Sequence, residues 1–123
     1  MTTEEVANRL VSLCNQGKWF DAQKELYSEN AESIEPEGTP WGSVKGMEAI
    51  KKKGEEWGKN IEEMHGGEIS EPMVCGNHFV VKMVSDNTVK GMGRVKFEEL
   101  CMYEVADGKI VKEQFFYTPM QSE

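Results

Sequence analysis

No apolar run in these 123 residues approaches the length needed to span a bilayer, and the start, Met1-Thr2-Thr3-Glu4-Glu5, lacks the basic and apolar segments of a secretory signal. A soluble, cytoplasmic protein with no membrane partner is the expectation. Positive charge is scarce as well: 14 Lys and Arg stand against 22 Asp and Glu, a formal net charge of -8. A nucleic-acid face needs clustered cations to displace the counterions of phosphates. The only basic run, Lys51-Lys52-Lys53, is followed at once by Glu55-Glu56 at helical spacing and reads as a solvated face with internal ion pairs. No nucleic-acid partner is expected.

Cysteine is both rare and scattered. Cys14, Cys75 and Cys101 are odd in number, with no Cys-x-x-Cys pair, which fits reduced thiols better than a disulfide framework or a zinc site. The two histidines, His65 and His78, are not at metal-ligand spacing with a carboxylate on a helix, so neither a catalytic metal nor a cofactor is expected. Internal repeats, low-complexity tracts and linkers are also missing. The length suits one hydrophobic core, hence a single domain over residues 1–123.

What is present is a clear order of elements. Thr2 can cap a first helix with Glu5 reaching back, and Val6, Leu10, Leu13 and Cys14 recur on one face until Gly17 stops it. A second helix, about Lys18–Tyr27, shows Trp19, Ala22 and Leu26 on one side. A short strand, Ala31–Glu35, ends at Pro36, which has no amide hydrogen to give. Residues 36–45 are dense in breakers around Trp41. A third helix, about Gly46–Gly58, buries Met47, Ile50 and Trp57 and turns its lysines and glutamates to water. Strands follow at Ile61–Met73, with Gly66-Gly67 as a bulge or bend, and at His78–Asp86; Val74–Asn77 and Asn87–Gly93 read as turns.

The last two strands, Arg94–Ala106 and Lys109–Thr118, fold back at Asp107-Gly108. Phe97, Cys101, Tyr103, Val105, Val111, Phe115 and Tyr117 form an apolar stripe at a spacing of two, with Glu99 and Glu113 inside it. Register decides whether those acids share a face. A three-residue Ala106-Asp107-Gly108 loop puts them together and gathers more apolar residues on one side; a two-residue Asp-Gly turn would pair Glu113 with Met102 and part them. On the opposite face Leu100, Met102, Ile110 and Phe116 alternate with polar residues, which suggests a homodimer through the outer sheet face. Helices segregated from a largely antiparallel, curved sheet make an α+β fold, with a conical hollow where a small apolar ligand would sit.

Three stretches carry a family resemblance: Asn15-Gln16-Gly17-Lys18-Trp19; Ser33-Ile34-Glu35-Pro36 with Gly46-Met47-Glu48-Ala49-Ile50; and Tyr103-Glu104-Val105-Ala106-Asp107-Gly108-Lys109-Ile110-Val111. With the element order, they resemble the SnoaL-like branch of the nuclear transport factor 2-like superfamily, which also holds ketosteroid isomerase and limonene epoxide hydrolase. The resemblance implies a cystatin-like roll, the sheet wrapped around helices into a cone. It implies that Glu35 stands where the isomerase has its general-base aspartate and Glu99 where that enzyme keeps a protonated, oxyanion-binding aspartate. Leu10 falls where the isomerase's tyrosine belongs, and Phe115 where the hydrolase has its final aspartate, so neither set is complete.

Acids in an apolar cone have their charged forms disfavoured and push one another's ionisation apart, which yields a base and an acid from one residue type. Glu35, Glu99 and Glu113 are therefore candidate catalytic residues for removing a proton alpha to a carbonyl and stabilising the enolate, with His65 as a further titratable candidate. Trp19, Trp41, Trp57, Phe79, Met83, Tyr103, Phe115 and Tyr117 are candidate ligand-binding residues. The function expected is a cofactor-free isomerase or cyclase acting on an apolar carbonyl compound; the alternative is a non-catalytic ligand-binding or dimerisation module. In the plainer reading Glu113 pairs with Lys82 or Lys112, Glu99 with Arg94 or Lys96, and each acid is only a rim ion pair.

Overall fold

The capping signal at the start of the chain is met in both directions. In the computed structural model, which describes residues 1–39 and 42–118, Glu5 N donates to Thr2 Oγ1 at 3.1 Å and Thr2 N to Glu5 Oε1 at 2.9 Å. That box opens α1 (Thr3–Asn15), and Gly17, at φ +75°, turns the chain into α2 (Trp19–Leu26). The chain continues with β1 (Tyr27–Ile34), β2 (Val44–Lys45), α3 (Met47–Lys59), β3 (Ile61–Ile69), β4 (Met73–Cys75), β5 (His78–Val89), β6 (Gly93–Ala106) and β7 (Lys109–Phe116). The α+β reading holds. One mixed, mostly antiparallel sheet runs β2-β1-β7-β6-β5-β3, with β4 on the same side of β5 as β3 and β1 parallel to β7.

Several boundaries differ from expectation for physical reasons. The first strand starts at Tyr27, four residues early, because the buried Tyr27 already pairs with Ile110; an irregularity between Tyr27 and Glu32 restores the ladder. Residues 73–75, read as part of a strand end and a turn, pair with β5 through Met73, Val74 and Cys75. The fifth strand runs on to Val89 because β6 supplies it with partners as far as Gly93. At Gly66 the β3 register shifts, as a bulge requires, and a Cβ at Gly67 would lie 3.0 Å from Val84 O, so only glycine lets the two backbones approach.

The hairpin resolves the register question in an unexpected way. The turn has two residues, Asp107 at φ 52° and Gly108 at φ 75°, the left-handed pair that a primed turn needs. Val105 then pairs with Ile110, but Glu104 pairs with Lys112 and Tyr103 with Glu113. The extra residue is Val111, bulged out of β7. The acids do share a face, through a bulge after the turn rather than a longer loop, and Ile110, expected outside, is buried inside.

The core lies between the concave face and α1 and α2. Val6, Ala7, Leu10 and Leu13 join Ala22 and Leu26 against Phe79, Val81, Cys101, Tyr103, Val105 and Ile110. The third helix covers a different part of the sheet, over β1, β2 and β3. On the convex face Leu100 and Phe116 are exposed.

Candidate functional site

Register alone gathers the site. Met83 faces Glu99, Val81 faces Cys101, and Phe79 faces Tyr103 across β5 and β6; Phe115 faces Cys101 and Glu113 faces Tyr103 across β6 and β7. The next inward position beyond Phe115 is Tyr117. On the other side of β7, Ser33 of β1 lies beside Glu113, and Glu35 follows two residues on. Strand periodicity thus brings acids from three segments to one concave surface.

The cation in their midst comes from α3. Lys53 Nζ donates to Glu35 Oε1 at 3.0 Å and to Ser33 Oγ at 2.5 Å, and stands 5.4 Å from the Phe115 ring centroid. Tyr117 Oη donates to Glu35 Oε2 at 2.7 Å. Only 9% of the Glu35 side chain is exposed, yet each of its oxygens holds a donor. Deeper in, Glu113, 4% exposed, accepts from the Tyr27 hydroxyl on one oxygen and also from Ser33. A continuous polar chain therefore runs Tyr27, Glu113, Ser33, Lys53, Glu35, Tyr117.

Burial sets the protonation states. It pushes the Glu113 carboxyl above its ordinary value, against the opposing hydrogen bonds from Tyr27 and Ser33. Burial first, and then the charge of Glu35, raises Glu99 to about 7. Tyr117 is raised by burial and by its bond to Glu35, and the Cys101 thiol by burial and by Glu99. Glu99 thus has its ionisation poised near neutrality.

The candidate residues divide by location. Glu35, Glu99, Glu113, Phe115 and Tyr117 converge, with Met83 half-buried beside them. Phe79 and Tyr103 stack at 4.8 Å in the core, buried filler rather than an open wall. Trp19 is 39% exposed on α2, and Trp57 is half-buried one turn beyond Lys53. Trp41 lies outside the described residues. His65 is an exposed residue of β3 whose Nε2 meets Thr88 Oγ1 at 2.7 Å. Thr88 and Asp86 take even positions on β5, on the face opposite Met83, so His65 belongs to the convex surface with the Arg94–Asp86 pair and not to the acids. The ion pairs first weighed for the acids go elsewhere: Lys82 to Glu98 and Arg94 to Asp86.

Lys53, Ser33 and Tyr27 were not among the candidates. Lys53 had been assigned to solvent with its neighbours, but it sits three residues after Ile50 and four before Trp57, in the buried stripe itself, and that spacing was the available signal. Tyr27 was hidden by its assignment to a helix end. Leu10 is core.

An open groove of about 930 Å³ runs along the part of β6 that extends beyond β7 and is lined from both faces, by Val95, Phe97, Glu99 and Tyr117 on the concave side and Lys82, Lys96, Glu98, Leu100 and Phe116 on the convex side; Phe97 meets Tyr117 edge-on at 4.9 Å. Among the described residues no group of three or more His, Cys, Asp or Glu could hold a metal ion, and no helix is long and apolar enough to cross a membrane.

Residues 1–117 match the SnoaL-like domain family. Among solved structures, a Mesorhizobium loti protein named both as a SnoaL-like polyketide cyclase and as a carbohydrate phosphatase is 34% identical over 95% of this chain and 100% of its own, with a TM-score of 0.90. A Jannaschia protein named likewise is 18% identical over 93% and 83%, TM-score 0.72. A Catenulispora acidiphila protein with a ketosteroid isomerase-like fold, in complex with trimethylamine, is 18% identical over 98% and 90%, TM-score 0.74. The last two likenesses speak to fold alone. No curated protein matches the chain.

Proposed function

The chain belongs to the SnoaL-like family, and on that premise we propose that it is a cofactor-free acid/base catalyst that removes a proton alpha to the carbonyl of an apolar substrate, as an isomerase or cyclase must. The observation that carries this is the contrast between Glu99 and Glu35. Both Glu35 oxygens are held by donors, one of them a cation, so this carboxylate is occupied as an anchor for Lys53 and Tyr117. Glu99, raised to about 7 and reached by the groove along β6, has the pKa that a general base at neutral pH needs.

The roles implied by the family resemblance are therefore exchanged in this reading. Glu99 takes the proton; the C–H electron pair moves into the enolate; Lys53, held by Glu35 and Ser33 through two of its three N–H groups, donates the third to the developing oxyanion. The enolate is then reprotonated elsewhere, giving an isomer, or attacks a second carbonyl, giving a ring. Glu113, whose burial favours its protonated form, lies below and bonds Ser33.

Deuterium exchange tests it. Biphenyl-4-ylacetone in D₂O with the protein should lose its α-proton NMR signals faster than in buffer, and Glu99→Gln should lower the protein-dependent rate by about 100-fold while leaving affinity for the ketone unchanged. Exchange that survives Glu99→Gln would end the assignment of the base. Binding without any exchange by the unaltered protein would leave the non-catalytic binding module.

A further inference from the structure

The end of β7 leaves part of its neighbour uncovered. Val105 N donates to Asn77 O at 2.8 Å, so the odd-numbered residues of β6 turn their backbone groups toward β5 and the even-numbered ones toward the opposite edge. On that edge Glu104, Met102 and Leu100 are matched by Lys112, Gln114 and Phe116, where β7 stops. Glu98, Lys96 and Arg94 continue the row, and no described strand stands beside them. The N–H and C=O groups of all three therefore border the open groove along β6, a template for one more strand.

Charged side chains commonly guard such an edge against pairing. Here their order has the opposite consequence. When two copies pair antiparallel, the even-numbered row of one must meet the even-numbered row of the other. Centring the pair on Lys96 is the register that uses all three residues. A centre nearer Leu100 sets Arg94 against the partner's Leu100, already matched by Phe116; a centre on the other side sets Glu98 against the partner's Met92, in a turn. In the centred register Arg94 lies opposite the partner's Glu98, and Glu98 opposite the partner's Arg94, on the convex face. Both side chains already form exposed pairs within the chain, Arg94 with Asp86 at 2.9 Å and Glu98 with Lys82 at 3.3 Å, so association joins these into alternating sets of four charges. The two Lys96 residues meet at the axis, each with its own Asp86 across on β5.

The other contacts agree. On the concave face Val95 meets the partner's Phe97, and the partner's Gly93 falls opposite Glu99, where the lack of a side chain leaves the carboxyl reachable. The partner's Met92 comes to the end of β7, where Leu100 and Phe116 are exposed, and Met92 is exposed too. The outer-face stripe expected to carry a dimer is thinner than its alternation implies, since Ile110 is buried inside, and its exposed members Leu100 and Phe116 lie at this edge.

We propose that residues 93–99 of β6 are the contact of a reversible homodimer, in which two copies join antiparallel about Lys96 and their sheets continue into one. The paired segment is about 20 Å long and supplies about six backbone hydrogen bonds. It buries less than a permanent interface does, so a dissociation constant on the order of 10 μM is expected.

Sedimentation equilibrium at low salt, from about 5 to about 500 μM protein, tests it, with thermal melts to show that each variant folds. Lys96→Pro removes an edge N–H that no described strand uses and should raise the dissociation constant about tenfold or more. Arg94→Glu and Glu98→Arg should each be monomeric alone, because like charges then face each other across the axis. An equimolar mixture of the two should dimerise again, since each acid then faces a base. An unaltered protein that stays monomeric throughout overturns the proposal, and dimerisation only after removal of residues 119–123 would give the edge to the chain's own end. A mixture of the charge variants that stays monomeric overturns it too, and a dimer that survives Lys96→Pro moves the contact to the broad convex face.

Discussion

The concave face of this sheet has two halves built from the same strands. In the deep half Phe79, Val81, Tyr103, Val105 and Ile110 lie under Val6, Leu10 and Leu13 of α1, and all of them are buried. In the outer half, beginning one inward step from Cys101, the same alternation delivers Glu99, Tyr117, Glu35 and, from α3, Lys53. Strand geometry is indifferent to this change, since it places a side chain inward every second residue whatever that side chain is. The helices make the difference. α1 lays an apolar stripe on its half and leaves no donor for a carboxylate, whereas α3 puts one ammonium where it serves Glu35 and Ser33 together, and through Ser33 supports Glu113. A buried ion needs such partners, because its desolvation otherwise costs several kcal/mol.

The comparison predicts different penalties for damage in each half. Phe79→Ala should destabilise by about 4 kcal/mol, the cost of lost apolar transfer plus a cavity in a packed core. Urea unfolding measures this, and the acidic outer half should keep its pH response. Lys53→Met should cost about 3 kcal/mol, because it leaves Glu35 buried without its cation. The second substitution separates the mechanisms: Glu35→Leu added to Lys53→Met should recover much of that loss by removing the stranded charge, whereas no partner substitution repairs Phe79→Ala. Equal losses for Lys53→Met with and without Glu35→Leu would mean that the lysine acts by packing alone.

The deep half was legible in the sequence, and the outer half only in part. Val6, Leu10 and Leu13 repeat at helical spacing, and Cys101, Tyr103 and Val105 at a spacing of two, so periodicity alone marks them. Glu99 and Glu113 stood out because each interrupts an apolar stripe. Lys53 did not, because a lysine beside two others and ahead of two glutamates looks like solvent-facing charge, and only its phase relative to Ile50 and Trp57 separates it from Lys51 and Lys52. The bulge at Val111 left no mark either. An Asp-Gly turn followed by a bulge at Val111 puts Glu99 and Glu113 on one face just as the three-residue loop would, although Glu113 then stands opposite Tyr103 rather than Cys101, and the sequence offered no means of choosing between them. His65 was chosen for its residue type, but an irregular stretch of β3 decides its face, and register shifts of one residue are invisible to a periodicity argument.

The smallest expected effect is the sharpest test of the outer half. The fold raises Glu99 from 4.5 to about 7, so the folded chain binds that proton more tightly than the unfolded one does. The sign follows. The contribution to stability is fully present below about pH 4.5 and is lost as pH climbs through 7, a loss of about 2 kcal/mol after allowance for the partial exposure of Glu99. Glu113, raised by its own burial, acts in the same direction. Unfolding free energy followed from pH 5 to pH 8 should therefore fall, and Glu99→Gln should flatten the slope and leave the protein more stable than the unaltered chain at pH 8. General repulsion in a chain of net charge -8 would also lower stability as pH rises. Glu98→Gln controls for it, because Glu98 is the neighbouring residue on β6 but stands on the convex face with its side chain 69% exposed, and it removes the same charge without touching the concave face. Flattening by both substitutions equally would assign the slope to net charge; flattening by Glu99→Gln alone assigns it to a carboxyl that burial holds near neutrality, the property the proposed base requires.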